Sequence, residues 1–123
     1  MADWRTLCKA PDLEVNDRGV VVLLFADRRQ QVRVVEEEDH YLLRSTVATA
    51  SRHPRDEAFR LRVWYMNRGM VLTGLRFDER DRLVAESRVP KAGLTKSEFL
   101  FHIQRLAREA DRLEYILTGE DWE

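Results

Sequence analysis

Leu94-Thr95-Lys96-Ser97-Glu98-Phe99, running on through Ile103, Leu106, Ala110, Leu113 and Leu117 to Gly119, carries the most regular pattern in the chain. Its apolar residues recur at spacings of four and three, the repeat that keeps side chains on one face of an α-helix. Thr95 stands at the N-cap position with Glu98 three residues on, and Leu94 and Phe99 bracket the first turn as a hydrophobic staple. Gly119 supplies the stop. A helix this long with one continuous apolar stripe must pack along its whole length, so the rest of the chain has to furnish a dry surface for it.

That surface reads as a sheet. Val20–Ala26 is dense in β-branched and large apolar residues, and Asp27-Arg28-Arg29 makes a polar turn into Gln30–Glu36. There Val32 and Val34 alternate with Gln31 and Arg33, the period of two expected of a strand with one wet face. Glu37-Glu38-Asp39 turns the chain into a third strand, where Leu43, Ser45 and Val47 alternate with Leu42, Arg44 and Thr46. Pro54, with Asp56 and Glu57 close behind, predicts a helix that runs to about Asn67 and stops at a left-handed Arg68-Gly69. Val71, Thr73, Leu75 and Phe77 then alternate as a strand, Asp78–Asp81 turns, and Leu83–Val89 returns as the second arm of a hairpin that Pro90 ends. The expected architecture is α+β: an antiparallel three-stranded meander, a helix and a β-hairpin, packed against a long C-terminal helix. Residues 1–17, broken by Pro11, are a short N-terminal segment with material for one helical turn laid over the core. Residues 18–119 form the single domain and 120–123 a tail.

Composition narrows the function classes. The chain has 123 residues, 44% hydrophobic and 35% charged, which is globular composition, and its longest apolar run is only strand length. A net charge of −1 projects no strong field, so neither nucleic acid nor a membrane surface is an expected partner. The single cysteine, Cys8, cannot form an internal disulfide, and Met1-Ala2-Asp3-Trp4 is not a secretory leader; a bacterial-type cytoplasmic location is the expectation.

Catalytic chemistry is hard to place. His40, His53 and His102 have no second ligand at metal-binding spacing, Cys8 has no histidine or second cysteine nearby, and phosphate-binding, dinucleotide-binding and hydrolase motifs are absent. The acidic turn Glu36-Glu37-Glu38-Asp39-His40 is the best alternative site, for a metal ion or acid/base work through Glu36, Glu38 and His40. Its alternating strand geometry argues for a solvated turn instead. Arg33, Arg44, Arg76 and Arg88 sit at strand positions that could share one sheet face, without the interleaved aromatics a single-strand nucleic-acid platform needs.

The helix after Pro54 is more informative. At about 100° per residue, Ala58, Leu61 and Tyr65 form one apolar stripe, widened by Trp64, and Phe59, Val63 and Met66 form a second. One stripe suffices to seat a helix on a sheet, so the other needs cover, from the N-terminal Trp4 and Leu7 or from another molecule. Assigning the second stripe outward makes Phe59, Val63 and Met66 the expected homodimer interface. Phe101 and Tyr115, off the main stripe of the last helix, are the expected partner surface.

The order meander, helix, hairpin, long helix resembles a YbjN-type domain, a bacterial group similar in fold to the class I chaperones of type III secretion. The resemblance covers about residues 18–119. It is carried by Trp64-Tyr65-Met66-Asn67-Arg68, by Leu75-Arg76-Phe77 and Leu83-Val84-Ala85-Glu86, by Val89-Pro90 through Leu94-Thr95, and by Ala110-Asp111-Arg112-Leu113-Glu114-Tyr115. It implies a non-enzymatic, commonly dimeric protein that needs no cofactor, binds other polypeptides, chaperone-like or regulatory, and often pairs through its middle helix.

Overall fold

The structure, a computed structural model, describes residues 4–8, 10–11, 13–25, 28–54, 56–70 and 72–118. Its elements in chain order are α1 (Trp4–Leu7), β1 (Leu13–Val15), β2 (Val20–Phe25), β3 (Arg28–Glu36), β4 (His40–Ala48), α2 (Glu57–Arg68), β5 (Gly74–Phe77), β6 (Leu83–Pro90) and α3 (Lys96–Thr118). The strands make one six-stranded sheet ordered β1-β2-β3-β4-β6-β5, every pairing antiparallel. The meander and the hairpin are therefore fused: β4 pairs along its length with β6, from His40 opposite Pro90 to Ala48 opposite Leu83.

Alternation along the strands sorts the sheet into two faces. Tyr41, Leu43 and Val47 of β4, Leu83, Ala85 and Val89 of β6, and Val32 and Val34 of β3 are buried beneath α3, and Val21 and Leu23 of β2 are buried on the same sheet face. From above come Phe99, Ile103, Leu106, Ala110, Leu113 and Leu117, the stripe read from the sequence, all buried. Phe99 is the centre of this layer, fully buried, with its ring 5.2 Å from Tyr41 in an edge contact and 6.4 Å from Trp4. The start of α3 is capped as expected: Thr95 Oγ1 accepts the Glu98 N–H at 3.2 Å and donates to Glu98 Oε1 at 2.9 Å. The expected stop at Gly119, the tail 120–123 and the turn residue Asp27 lie outside the described residues.

The N-terminal segment contributes more than a covering. Trp4, Cys8 and Leu13 are buried members of the core, and β1 adds an edge strand with Leu13 opposite Leu23. A strand of three residues is too short for an alternation pattern to reveal. The start of α2 also differs from its reading. Asp56, in extended conformation, is the N-cap and accepts the Phe59 N–H at 2.8 Å, so the helix begins at Glu57, beyond Pro54. Gly69 closes it at φ −91°, in the right-handed region; the left-handed residue is Leu72, at φ 71°. Side chains fix that later reversal, Asn67 Oδ1 accepting the Leu75 N–H and Ser87 Oγ donating to the Leu72 carbonyl, each at 2.8 Å. Strand β5 consequently starts at Gly74.

The turn after β5 is held from within. Asp78 Oδ1 accepts the N–H groups of Arg80 and Arg82 at 3.0 and 2.9 Å, while Oδ2 accepts Arg82 Nε at 2.7 Å. His53 joins this turn to α2: its ring stacks on Phe59 at 5.3 Å, with Nδ1 2.7 Å from the Pro54 carbonyl oxygen and Nε2 2.7 Å from that of Asp81.

Truncating Phe99 to alanine should cost about 3–5 kcal/mol, since it empties the space shared by α1, β4 and α3. Urea unfolding of Phe99→Ala should show the midpoint shift with little change in slope; a loss under about 1 kcal/mol would remove Phe99 from the centre of the core.

Candidate protein-binding surfaces

Helix α2 is the first candidate, and its two stripes are the reverse of the reading that faced Phe59, Val63 and Met66 outward. Phe59 and Val63 are 6% and 4% exposed, and Phe59 lies 6.5 Å from the Phe77 ring and against His53. Met66 is half-buried against the same core. These three side chains seat α2 on its own sheet, at the β5 edge. Trp4 packs on Phe99. The stripe left over is the other one: Leu61, Trp64 and Tyr65 are 48%, 53% and 62% exposed. The Trp64 and Tyr65 rings meet edge to face at 5.2 Å, and the Arg68 guanidinium lies 5.0 Å from the Trp64 ring centre.

Between α2 and α3 runs a groove of about 410 Å³, with Tyr65, Met66 and Met70 on one wall and Arg105, Glu109 and Arg112 on the other. Arg112 Nη2 donates to Glu109 Oε1 at 2.6 Å along the α3 wall, and Arg62 Nη2 donates to the Ile116 carbonyl at 3.2 Å, tying the helices together. On α3, Phe101 and Tyr115 are 52% and 62% exposed, as the sequence suggests. Fourteen residues separate them, about 21 Å along a helix, so they are two contact points rather than one patch.

The third surface is the sheet face turned away from α3. Register places Arg33 directly opposite Arg44, Arg44 opposite Glu86, Arg88 opposite Leu42 and Arg76 opposite Val84, so the four strand arginines do share one face. Glu86 accepts from Arg44 Nε at 2.7 Å and from Arg76 through both Nε and Nη2. Burial pushes the Glu86 carboxyl up, but the bonds from Arg76 and Arg44 outweigh it and hold the carboxyl below its ordinary value.

The acidic turn does not assemble a site. Glu36 takes Lys91 Nζ at 2.8 Å, while His40 Nδ1 lies 2.7 Å from Asp39 Oδ1. Among the described residues no group of three or more His, Cys, Asp or Glu side chains is placed to hold a metal ion. Cys8 is enclosed in the core, where burial pushes its thiol up to about 12, so it is protonated at neutral pH. No helix among the described residues is long and apolar enough to cross a membrane.

No protein-family model and no curated protein sequence matches the chain. Solved structures do match it. Over 94% of this chain and 88% of its counterpart it superposes on a chain of the ExsC–ExsE complex, with a TM-score of 0.63 and 20% identity. A chain of the HopA1–SchA chaperone–effector complex gives a TM-score of 0.56 at 15% identity, covering 95% and 94%. A chain of the ExoU–SpcU heterodimer, from the type III secretion system of Pseudomonas aeruginosa, gives 0.57 at 18%, covering 85% and 87%. The fold is thus an α+β sheet and terminal helix of the kind found in type III secretion chaperone structures.

Because the Glu86 carboxyl is lowered in the folded state, its contribution to stability is fully present above the ordinary carboxylate value of 4.5 and is lost as pH falls through the lower folded value. Thermal melts from neutral pH downward should show Glu86→Gln losing less stability on the acid limb than the parent does. Parallel acid limbs would mean that the two arginines do not favour the ionised carboxyl.

Proposed function

We propose that this chain is a non-enzymatic, chaperone-like or regulatory protein-binding module of the YbjN type, working as a homodimer that holds a polypeptide client. The observation that carries this reading is the outward stripe of α2. Leu61, Trp64 and Tyr65 place contiguous apolar and aromatic surface on a helix already seated by its opposite side. A second copy is the natural cover, because a helix presenting one such stripe can pair with its own copy about a two-fold axis. The groove beside Met66 and Met70 and the exposed rings of Phe101 and Tyr115 remain for a client; methionine walls adapt to side chains of different shape. The structural neighbours include a chaperone–effector complex, which supports a client of the same chemical kind.

Light scattering separates the pairing residues from the core residues. Trp64→Asp combined with Leu61→Asp should give a folded monomer with an unchanged far-ultraviolet spectrum. Val63→Asp puts a charge in the core and should lower the melting temperature steeply instead. A parent protein that is monomeric at high concentration, or a doubly substituted protein that stays dimeric, would remove this stripe from the interface.

A further inference from the structure

The sheet face opposite α3 carries charge out of proportion to a chain whose net charge is −1. Arg33, Arg44, Arg76 and Arg88 share it, and among the described residues Arg44 and Arg76 pair with a carboxylate, both using the same Glu86. Among the described residues Arg33 and Arg88 have no acidic partner within ion-pair distance; Arg33 Nη1 donates instead to the Arg18 carbonyl at 3.3 Å. Arg33 and Arg44 also stand directly opposite each other, a like-charge pairing that costs stability unless an anion lies between or above them.

At the same place the sheet opens. Strands β3 and β4 are paired from Arg33 and Arg44 to Glu36 and Tyr41, and beyond that pair side chains bridge the gap. Ser45 Oγ donates to the Gln31 carbonyl at 2.7 Å and accepts Gln30 Nε2 at 2.8 Å, and Nε2 lies 3.4 Å from the Thr46 carbonyl. The result is a cleft of about 150 Å³ lined by Gln30, Arg33, Arg44, Thr46 and Arg82. Gln30 is 1% exposed, and its bonds fix the amide orientation, because both partners of Nε2 act as acceptors. That leaves Oε1 as a buried acceptor with no hydrogen-bond partner. On the arginine face the cleft therefore offers two guanidinium groups, Arg33 and Arg44, for an anion. Around it Val22, Val35 and Leu42 alternate with the arginines on the same face.

We propose that this face binds an acidic segment of a client protein, laid extended across the sheet with one carboxylate seated at Arg33 and Arg44. An extended peptide has the chemistry that matches: carboxylates for the arginines and, in alternation, apolar side chains for Val22, Val35 and Leu42. Nucleic acid fits less well, because among the described residues this face carries no aromatic side chain on which a base could stack. The inference rests on the protein-binding reading and adds the class of segment this face takes.

The test is fluorescence anisotropy with a labelled peptide of alternating Glu and Val, its Gln-for-Glu counterpart, and a single-stranded oligonucleotide of equal charge. The acidic peptide should bind the parent protein with affinity that falls as salt rises, and both the Gln peptide and Arg33→Glu should weaken binding by about tenfold or more. Arg33 is exposed, so that variant should fold, which its melting curve checks. No binding of the acidic peptide, equal binding of the neutral one, an unaffected Arg33→Glu, or preference for the oligonucleotide would each overturn the proposal. The Trp64 and Leu61 substitutions test the broader reading on a different surface, so either can fail without the other.

Discussion

The docking of α3 on one face of the sheet is the constraint from which the other features follow. Six apolar side chains of one helix stripe meet the inward residues of β3, β4 and β6, and Phe99 locks between Trp4 and Tyr41 at the centre of that contact. Once that side is dry, every second strand residue is committed to it, and the remainder must face the other way. The arginine face is the consequence: the residues that alternate with Leu43, Ser45 and Val32 are Arg44 and Arg33. The helix thus determines where charge collects, although it touches none of those side chains.

Helix α2 takes what room is left at the β5 edge. His53 is the hinge of that arrangement, its ring flat against Phe59 and its two nitrogens against carbonyls from the helix entry and from the β5–β6 turn. With Phe59 and Val63 drawn into the core, Leu61, Trp64 and Tyr65 are left to solvent, and the groove between α2 and α3 inherits Met66 as a wall. The exposed surfaces are thus all by-products of packing, and the proposed binding role uses them where packing leaves them.

Much of this was legible in the residues themselves. The spacing of Phe99, Ile103, Leu106, Ala110, Leu113 and Leu117 fixes α3, the dense apolar run from Val20 marks β2, and simple alternation locates four more strands, because all three patterns are local. The reading failed where the deciding partner is distant in sequence. Two stripes of similar apolarity on α2 cannot be ranked from the helix alone; Phe77, eighteen residues on from Phe59, and His53 choose between them. Strand β1 is invisible to pattern because three residues carry no periodicity, and α2 starts later than Pro54 suggests because the Asp56 cap outweighs the proline signal. The common face of Arg33, Arg44, Arg76 and Arg88 was visible as a possibility, whereas the opening between β3 and β4 and the buried amide of Gln30 arise only from pairing.

In the proposed dimer α2 divides its two apolar stripes between its own core and a second copy of the chain. Hydroxyl-radical footprinting of the parent protein across a dilution series, read by mass spectrometry at Phe59, Trp64 and Tyr65, tests it most directly. Phe59 should be protected at every concentration, with Trp64 and Tyr65 reactive when dilute and protected when concentrated. Trp64 equally reactive throughout, or Phe59 varying in step with it, would contradict it.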